Sequence, residues 1–361
     1  MTVIDCAVFP TYLLVAIMDA KLKKSLKECR STCALSLRAL ASSSNQNESL
    51  TSTLPAGLGE AVAGLLVNLR QTTTALGLAF KPPISVDAAI QQLDKTSDQI
   101  GKLISCVLLT HGYLAEEWKA GVEGIGGELV RHIDVLSSSD RNTSDGAGVA
   151  GSDDAYLAST GMVWESIDRL ANGLSKDEKS AVVRKYKGQQ GTVKDAWEEF
   201  KGIVDNRGGA EAELEDGDED GWDELDLGGE ELSDQERQRA EGAKPLLALH
   251  QILHATIPRF IDQFDHRSDG SSSAAKHTYT ELIQTSTAFV DAYDEAVSSM
   301  HPGQDEEDIE ETLRELESVS CRLAGMVDDK SVDKWRERLE IEKQKWEERR
   351  LDLASLGDAL E

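Results

Sequence analysis

His250 and His254 stand four residues apart, the spacing that puts two imidazoles on one face of a helix and lets them chelate a metal ion. A zinc peptidase of that pattern also needs a glutamate directly after the first histidine, as the base that activates water. Gln251 occupies that place, and an amide cannot take the proton. Histidines on a bundle helix are more often core than ligand, so buried or half-buried imidazoles are the expectation. Gly121, Gly124, Gly126 and Gly127 resemble a phosphate loop at a glance, but the spacing fails and Leu129 stands where a third glycine is wanted. Gly101-Lys102 is followed by Leu103 instead of Ser or Thr, so no P-loop exists, and neither a Gly-x-Ser-x-Gly elbow nor a kinase signature set occurs. Cys29 and Cys33 are also four apart, with no second pair or nearby histidine to complete a site. They read as core thiols, and the scattered set Cys6, Cys29, Cys33, Cys106 and Cys321 suits a reducing compartment. The expectation is a protein with no catalytic residue, no metal site and no cofactor.

The 361 residues carry 38 basic and 66 acidic side chains, a net charge of −28. Such a surface repels phosphate backbones, which argues against direct nucleic-acid binding and favours a basic partner surface or plain solubility. Hydrophobic residues at 40% are enough for a substantial core, while aromatics at 5% argue against a β-sandwich or barrel. The apolar run Ala7 to Met18 carries Pro10, lacks a basic flank and is too short to span a bilayer, so no membrane span is expected. A clean helical pattern sets in at Asp19, which makes Met18 an alternative start to Met1 and sets residues 1–17 apart as a tail or mis-assigned start.

The elements that would position any site are helices throughout, because apolar residues recur at helical and never at strand spacing. The first stretch uses Leu22, Leu26, Cys29, Cys33, Leu37 and Leu40; a second, from Leu58 to Leu76, ends before Pro82-Pro83. Ser85 is placed to cap a third, carrying Val86, Ala89, Leu93, Ile100, Ile104, Val107 and Leu108. The pattern runs on through Trp118 to Leu136, with Gly112 as a candidate break and the following glycines as sites of a bend or of close helix contact. Ser175 with Glu178 and Ser233 with Glu236 have capping-box spacing, which starts helices over 176–204 and from 234. Pro245 and Pro258 should kink the latter. Two more helices span Tyr279 to Met300 and Glu306 to Val327. In the last segment Val332, Leu339, Trp346 and Leu353 fall every seven residues, with Trp335 and Leu356 in the companion seam alongside Glu342 and Arg349. A half-filled heptad pairs weakly with another helix or lies on its own bundle. The fold expected is all-α, a multi-helix bundle in two packed blocks joined by an acidic disordered loop. Its parts are a bundle over 18–204, a linker over 205–233, a bundle over 234–329 and a charged helix over 330–361.

Between Asp205 and Asp234 lie fourteen acidic residues and one basic residue, Arg207, a balance of −13. A block so charged cannot collapse on itself when free. It nevertheless holds Trp222, Asp223, Glu224, Leu225 and Leu227, and a solvated spacer has no use for a tryptophan and two leucines. This stretch can dock on its own bundle or in a partner's groove, with the aromatic as anchor. The candidate partner-binding residues are these five with Trp335, Leu339 and Trp346.

Three local patterns carry a resemblance. They are Leu76-Gly77-Leu78-Ala79-Phe80-Lys81-Pro82-Pro83, then Ile104-Ser105-Cys106 with Thr110-His111-Gly112, then Asp220-Gly221-Trp222-Asp223-Glu224-Leu225. In this order they resemble the cyclin-D-interacting (GCIP) family, also described as cyclin-D-binding proteins, over roughly Leu58 to Val327. The resemblance implies an all-helical, non-enzymatic protein of cytoplasm and nucleus. It would bind D-type cyclins and adaptor or helix-loop-helix proteins and so restrain the cell cycle and transcription. Leu76, Phe80, Lys81, Pro82 and Pro83 are the family-motif structural positions. Composition alone fits a vinculin- or talin-like scaffold for cytoskeletal or membrane-associated partners equally well.

Overall fold

The structure, a computed structural model, describes residues 9–42, 55–81, 83–138, 155–205, 232–265 and 277–358. Helices take up nearly all of it, and the fold is all-α. Apart from them there is a two-residue parallel pair, β1 (Phe264–Asp265) with β2 (His277–Thr278), too short for any alternation to announce. Contacts divide the chain into two compact units, residues 1–181 and 182–361. The division falls inside a helix, α6 (Glu178–Asp205), and not in the expected linker over 205–233. From Val182 onward the apolar face of α6 belongs to the second unit's core, where Val182, Tyr186, Val193 and Phe200 are all buried.

In the first unit α1 (Phe9–Ser42), α2 (Leu58–Phe80), α3 (Val86–Val107), α4 (Gly112–Ser138) and α5 (Ala155–Gly173) close a ring: α1 packs on α3 and α4, α2 on α3 and α5, and α4 on α5. Each helix turns one apolar stripe inward, and Leu22, Leu66, Leu93, Trp118, Ile133 and Ile167 meet in the centre. α1 begins at Phe9 instead of Asp19; Pro10 sits in its first turn, where a missing N–H costs nothing. Cys29 and Cys33 are core thiols, and the hydrogen bond that the Cys33 thiol donates to Cys29, together with burial, pushes the Cys33 thiol up and keeps it protonated. Two of the clustered glycines permit close helix contact. A Cβ on Gly126 would run into Leu37 of α1, and one on Gly121 into Leu170 of α5. Gly124 and Gly127 face open or loosely filled space. Leu108, expected in the α3 stripe, is instead the exposed residue that ends the helix.

Helix ends depart most from local expectation. Ser85 occupies the N-cap position of α3 without its side chain accepting a hydrogen bond. Ser175 and Glu178 form no capping box. Asp177 caps α6, accepting from Ser180 N–H at 2.8 Å, and the hydrogen bonds from Ser180 hold its carboxyl below the usual range. Glu178 instead reaches back to α4, accepting from the N–H groups of Tyr113 at 2.8 Å and Leu114 at 3.0 Å. Ser175 donates from its N–H and its hydroxyl to Glu117 of the same helix. The first amides of α4 thus donate to a carboxylate sixty-odd residues away in sequence, where the helix dipole favours negative charge. Gly112, at φ +62°, makes the turn from α3 and leaves room for that carboxylate.

The second unit holds most of α6 with α7 (Asp234–Thr256), α8 (Tyr279–Ser298), α9 (Glu306–Gly325) and α10 (Lys330–Asp358). The Ser233–Glu236 capping box forms as the spacing predicts, and the same carboxylate also accepts from Gly303 and Gln304 N–H. Those hydrogen bonds, chiefly the one from Ser233 N–H, hold Glu236 down at about 2. A second box, Thr278 with Glu281, starts α8. α7 continues through Pro245 and ends at Thr256; Pro258 then sits in the first turn of a 3-10 segment, Ile257–Gln263.

Candidate partner-binding surfaces

The imidazoles of His250 and His254 lie on one face of α7, as their spacing dictates, and both are buried. Each has taken a serine hydroxyl as partner: His250 Nδ1 lies 2.7 Å from Ser320 Oγ, and His254 Nε2 lies 2.8 Å from Ser286 Oγ. Ser286 donates its own proton to Gln189 Oε1, so His254 Nε2 must carry the hydrogen. The direction is kept onward, for Gln189 Nε2 donates to Thr287 Oγ1, which donates to the carbonyl of Ile283. The His254 ring is stacked between Tyr186 and Phe289 with both centroids at 4.6 Å, which suits a neutral imidazole. Burial brings both histidines down to about 3, with the Lys343 ammonium adding to the effect at His250. His132 in the first unit repeats the pattern on Ser159 and is brought down to about 4. Among the described residues no group of three or more His, Cys, Asp or Glu could hold a metal ion.

α10 lies on α7. Val332, Trp335, Leu339, Glu342 and Trp346 are buried, an unbroken alternation of three- and four-residue steps that forms a helix-pairing seam. Trp335 donates from Nε1 to the carbonyl of Leu249 at 2.9 Å and sets its ring edge against His250. Trp346 lies over Gly242 so closely that a Cβ there would stand 3.1 Å from the indole. Glu342 is 7% exposed, and its carboxylate is met by Arg338 and Lys345, both from α10 itself. Toward α9 the helix reaches through ion pairs, Lys343 to Glu317 at 2.7 Å and Arg350 to Glu310 at 3.3 Å. Beneath these pairs α7, α9 and α10 leave a cleft of about 180 Å³ floored by Leu246, His250, Leu313, Leu339 and Trp346.

Of the predicted partner-binding residues, Trp335, Leu339 and Trp346 are therefore brought together on one seam, inside the unit's own packing. Trp222, Asp223, Glu224, Leu225 and Leu227 lie outside the described residues, as does Pro82. Leu76 and Phe80 are core residues of α2, while Lys81 is exposed and ends the helix by donating its N–H to the Leu78 carbonyl. Sequence reasoning missed Gly242 as the seat of Trp346; a glycine within a helix was the available signal. Glu342, which the heptad places in the companion seam, is buried there beside Trp335 and Trp346. Exposed apolar side chains line α2 and α5 of the first unit, among them Val67, Leu78 and Leu157.

Residues 61–206 match the family described as Grap2 and cyclin-D-interacting, N-terminal. No curated protein matches the chain.

Proposed function

We propose, from the premise that this chain carries the N-terminal domain of the Grap2 and cyclin-D-interacting family, that it is a non-enzymatic regulatory binder of a D-type cyclin or a helix-loop-helix factor. The family match carries this reading. The interior supports it: Ser286 and Ser320, the two hydroxyls that have a histidine partner in the second unit, are fully buried and cannot reach a substrate. The surface charge supports a protein partner over nucleic acid, since −28 overall repels phosphate. No helix among the described residues is long and apolar enough to cross a membrane. Work in cytoplasm and nucleus is part of the same proposal.

The test is affinity capture with the full chain as bait against purified D-type cyclins and helix-loop-helix proteins, with Trp222→Ala as a second bait. Saturable binding to one of them is expected, and a loss of capture by the variant at unchanged thermal stability would place Trp222 at the contact. Cosedimentation with actin or lipid vesicles, without capture of either class, would replace the reading with a helical scaffold.

A further inference from the structure

α10 packs on α7 and is tied to α9. Its seam on α7 includes a buried carboxylate, Glu342, whose counter-ions Arg338 and Lys345 come from α10 and travel with it. A charge brought into a seam without a partner on the receiving helix costs free energy, and apolar residues of that size would dock more firmly. The seam is also incompletely filled. The cleft of about 180 Å³ under α10 exceeds the roughly 150 Å³ of a cavity that accepts benzene, so it has room for a bulky side chain. On the α9 side the ties are half-buried ion pairs still in contact with solvent, so salt weakens them. The connection from α9 is fixed instead: Gln263 accepts from Asp328 N–H, and Asp329 accepts from Ser331 N–H at the start of α10. A helix fixed at its first turn, with a self-neutralised charge in its seam and ion pairs along its α9 edge, can swing about that end when those ties weaken.

We propose that the α7–α9 groove is a helix-docking site, that α10 is its detachable resident, and that the partner it admits is an amphipathic helix of the same chemistry. Such a helix carries bulky apolar side chains at alternating three- and four-residue spacing, with an aromatic ring facing Gly242. Gly242 supports this directly, because the Trp346 indole packs against α7 where that helix lacks a side chain and a Cβ would stand 3.1 Å from the ring. Release of α10 uncovers Leu246, His250 and Leu313 as a continuous floor, and the incoming helix replaces Trp346 and Leu339 upon it. The inference deepens the binding role proposed above and rests on it for biological meaning.

The test uses the full chain. Hydrogen exchange is followed in α10 and α8 as salt rises from about 50 mM to about 500 mM. A fluorescent peptide of residues 330–358 is titrated onto the wild-type chain and onto Lys343→Glu/Arg350→Glu, whose new carboxylates face Glu317 and Glu310. Exchange in α10 should quicken roughly tenfold in salt and in the variant while α8 is unchanged, the effect of two half-buried ion pairs weakened or lost. The peptide should bind the variant more tightly by a similar factor, and a peptide with Trp335→Ala and Trp346→Ala should not bind. Exchange of α10 in step with α8 on the wild-type chain overturns the proposal even where the variant fails to fold. So does a folded variant that frees α10 and takes up no peptide. Peptide uptake without cyclin or helix-loop-helix capture leaves the groove standing and removes the functional reading; the reverse pattern removes the groove alone.

Discussion

Acidification to about pH 5 should weaken the second unit more than the first, and histidines set the difference. An unfolded imidazole titrates near about 6.5, whereas burial brings His250 and His254 down to about 3. Below the unfolded value the denatured chain binds protons that the native chain refuses, so stability falls as pH falls. The contribution is fully present above about 6.5 and is lost progressively toward about 3. Between about pH 8 and about pH 5 each such histidine removes about 2 kcal/mol, so the pair removes about 4 kcal/mol from the second unit. His132, brought down to about 4, removes about 2 kcal/mol from the first unit over the same range. Urea unfolding at three pH values, followed by hydrogen exchange helix by helix, separates the two losses. His254→Gln keeps a donor for Ser286 and should remove about half of the second unit's pH dependence, whatever it does to stability at neutral pH. Equal midpoints at about pH 8 and about pH 5, or an unaltered slope in the variant, would refute neutral burial of these rings.

Two further expectations follow from backbone geometry. Gly188 and Gly191 are helical, with open space where a Cβ would stand, so alanine at either should stabilise by about 0.5–1 kcal/mol. Alanine at Gly121 or Gly126 would press on Leu170 or Leu37 and should destabilise by about 1–3 kcal/mol, despite the same gain in helix propensity; thermal melts of the four variants check the sign at each site. Glu178→Ala leaves the first amides of α4 without their carboxylate and should cost about 1–2 kcal/mol. Exchange at Tyr113 and Leu114 should rise before any change elsewhere in the first unit.

Helices and their buried faces were legible because a 3.6-residue period writes itself into apolar spacing. Part of the α10 seam was legible, since Val332, Trp335, Leu339 and Trp346 are buried at heptad steps, whereas Arg349 of the same pattern is exposed and the side chains of Leu353 and Leu356 lie outside the described residues. Contacts made by polar side chains over long sequence distances were not legible. Ser175 and Glu178 satisfied a local rule yet serve α4, because the Glu178 carboxylate at the start of α6 accepts from two of its first amides and Ser175 donates to Glu117. The unit boundary was missed for a related reason. Charge composition marks 205–233 as a connection, but the boundary is set by where α6 changes the core it joins, and periodicity does not change there.

The polar groups of the interior are consistent with the binding role proposed above. A buried imidazole can be kept neutral to serve chemistry only if solvent or substrate can reach it. Here each of the three neutral rings is committed to a serine, and Ser286 and Ser159 pass their protons on to Gln189 and to the carbonyl of Tyr156. Those hydrogen bonds fix how α7 meets α8 and α9, and how α4 meets α5. What remains adjustable lies outside that network: ion pairs screened by salt, a cleft large enough for a side chain, and a helix whose buried charge brings its own counter-ions. On the proposed reading, such an arrangement lets the surface contacts change while the hydrogen-bonded core stays as it is.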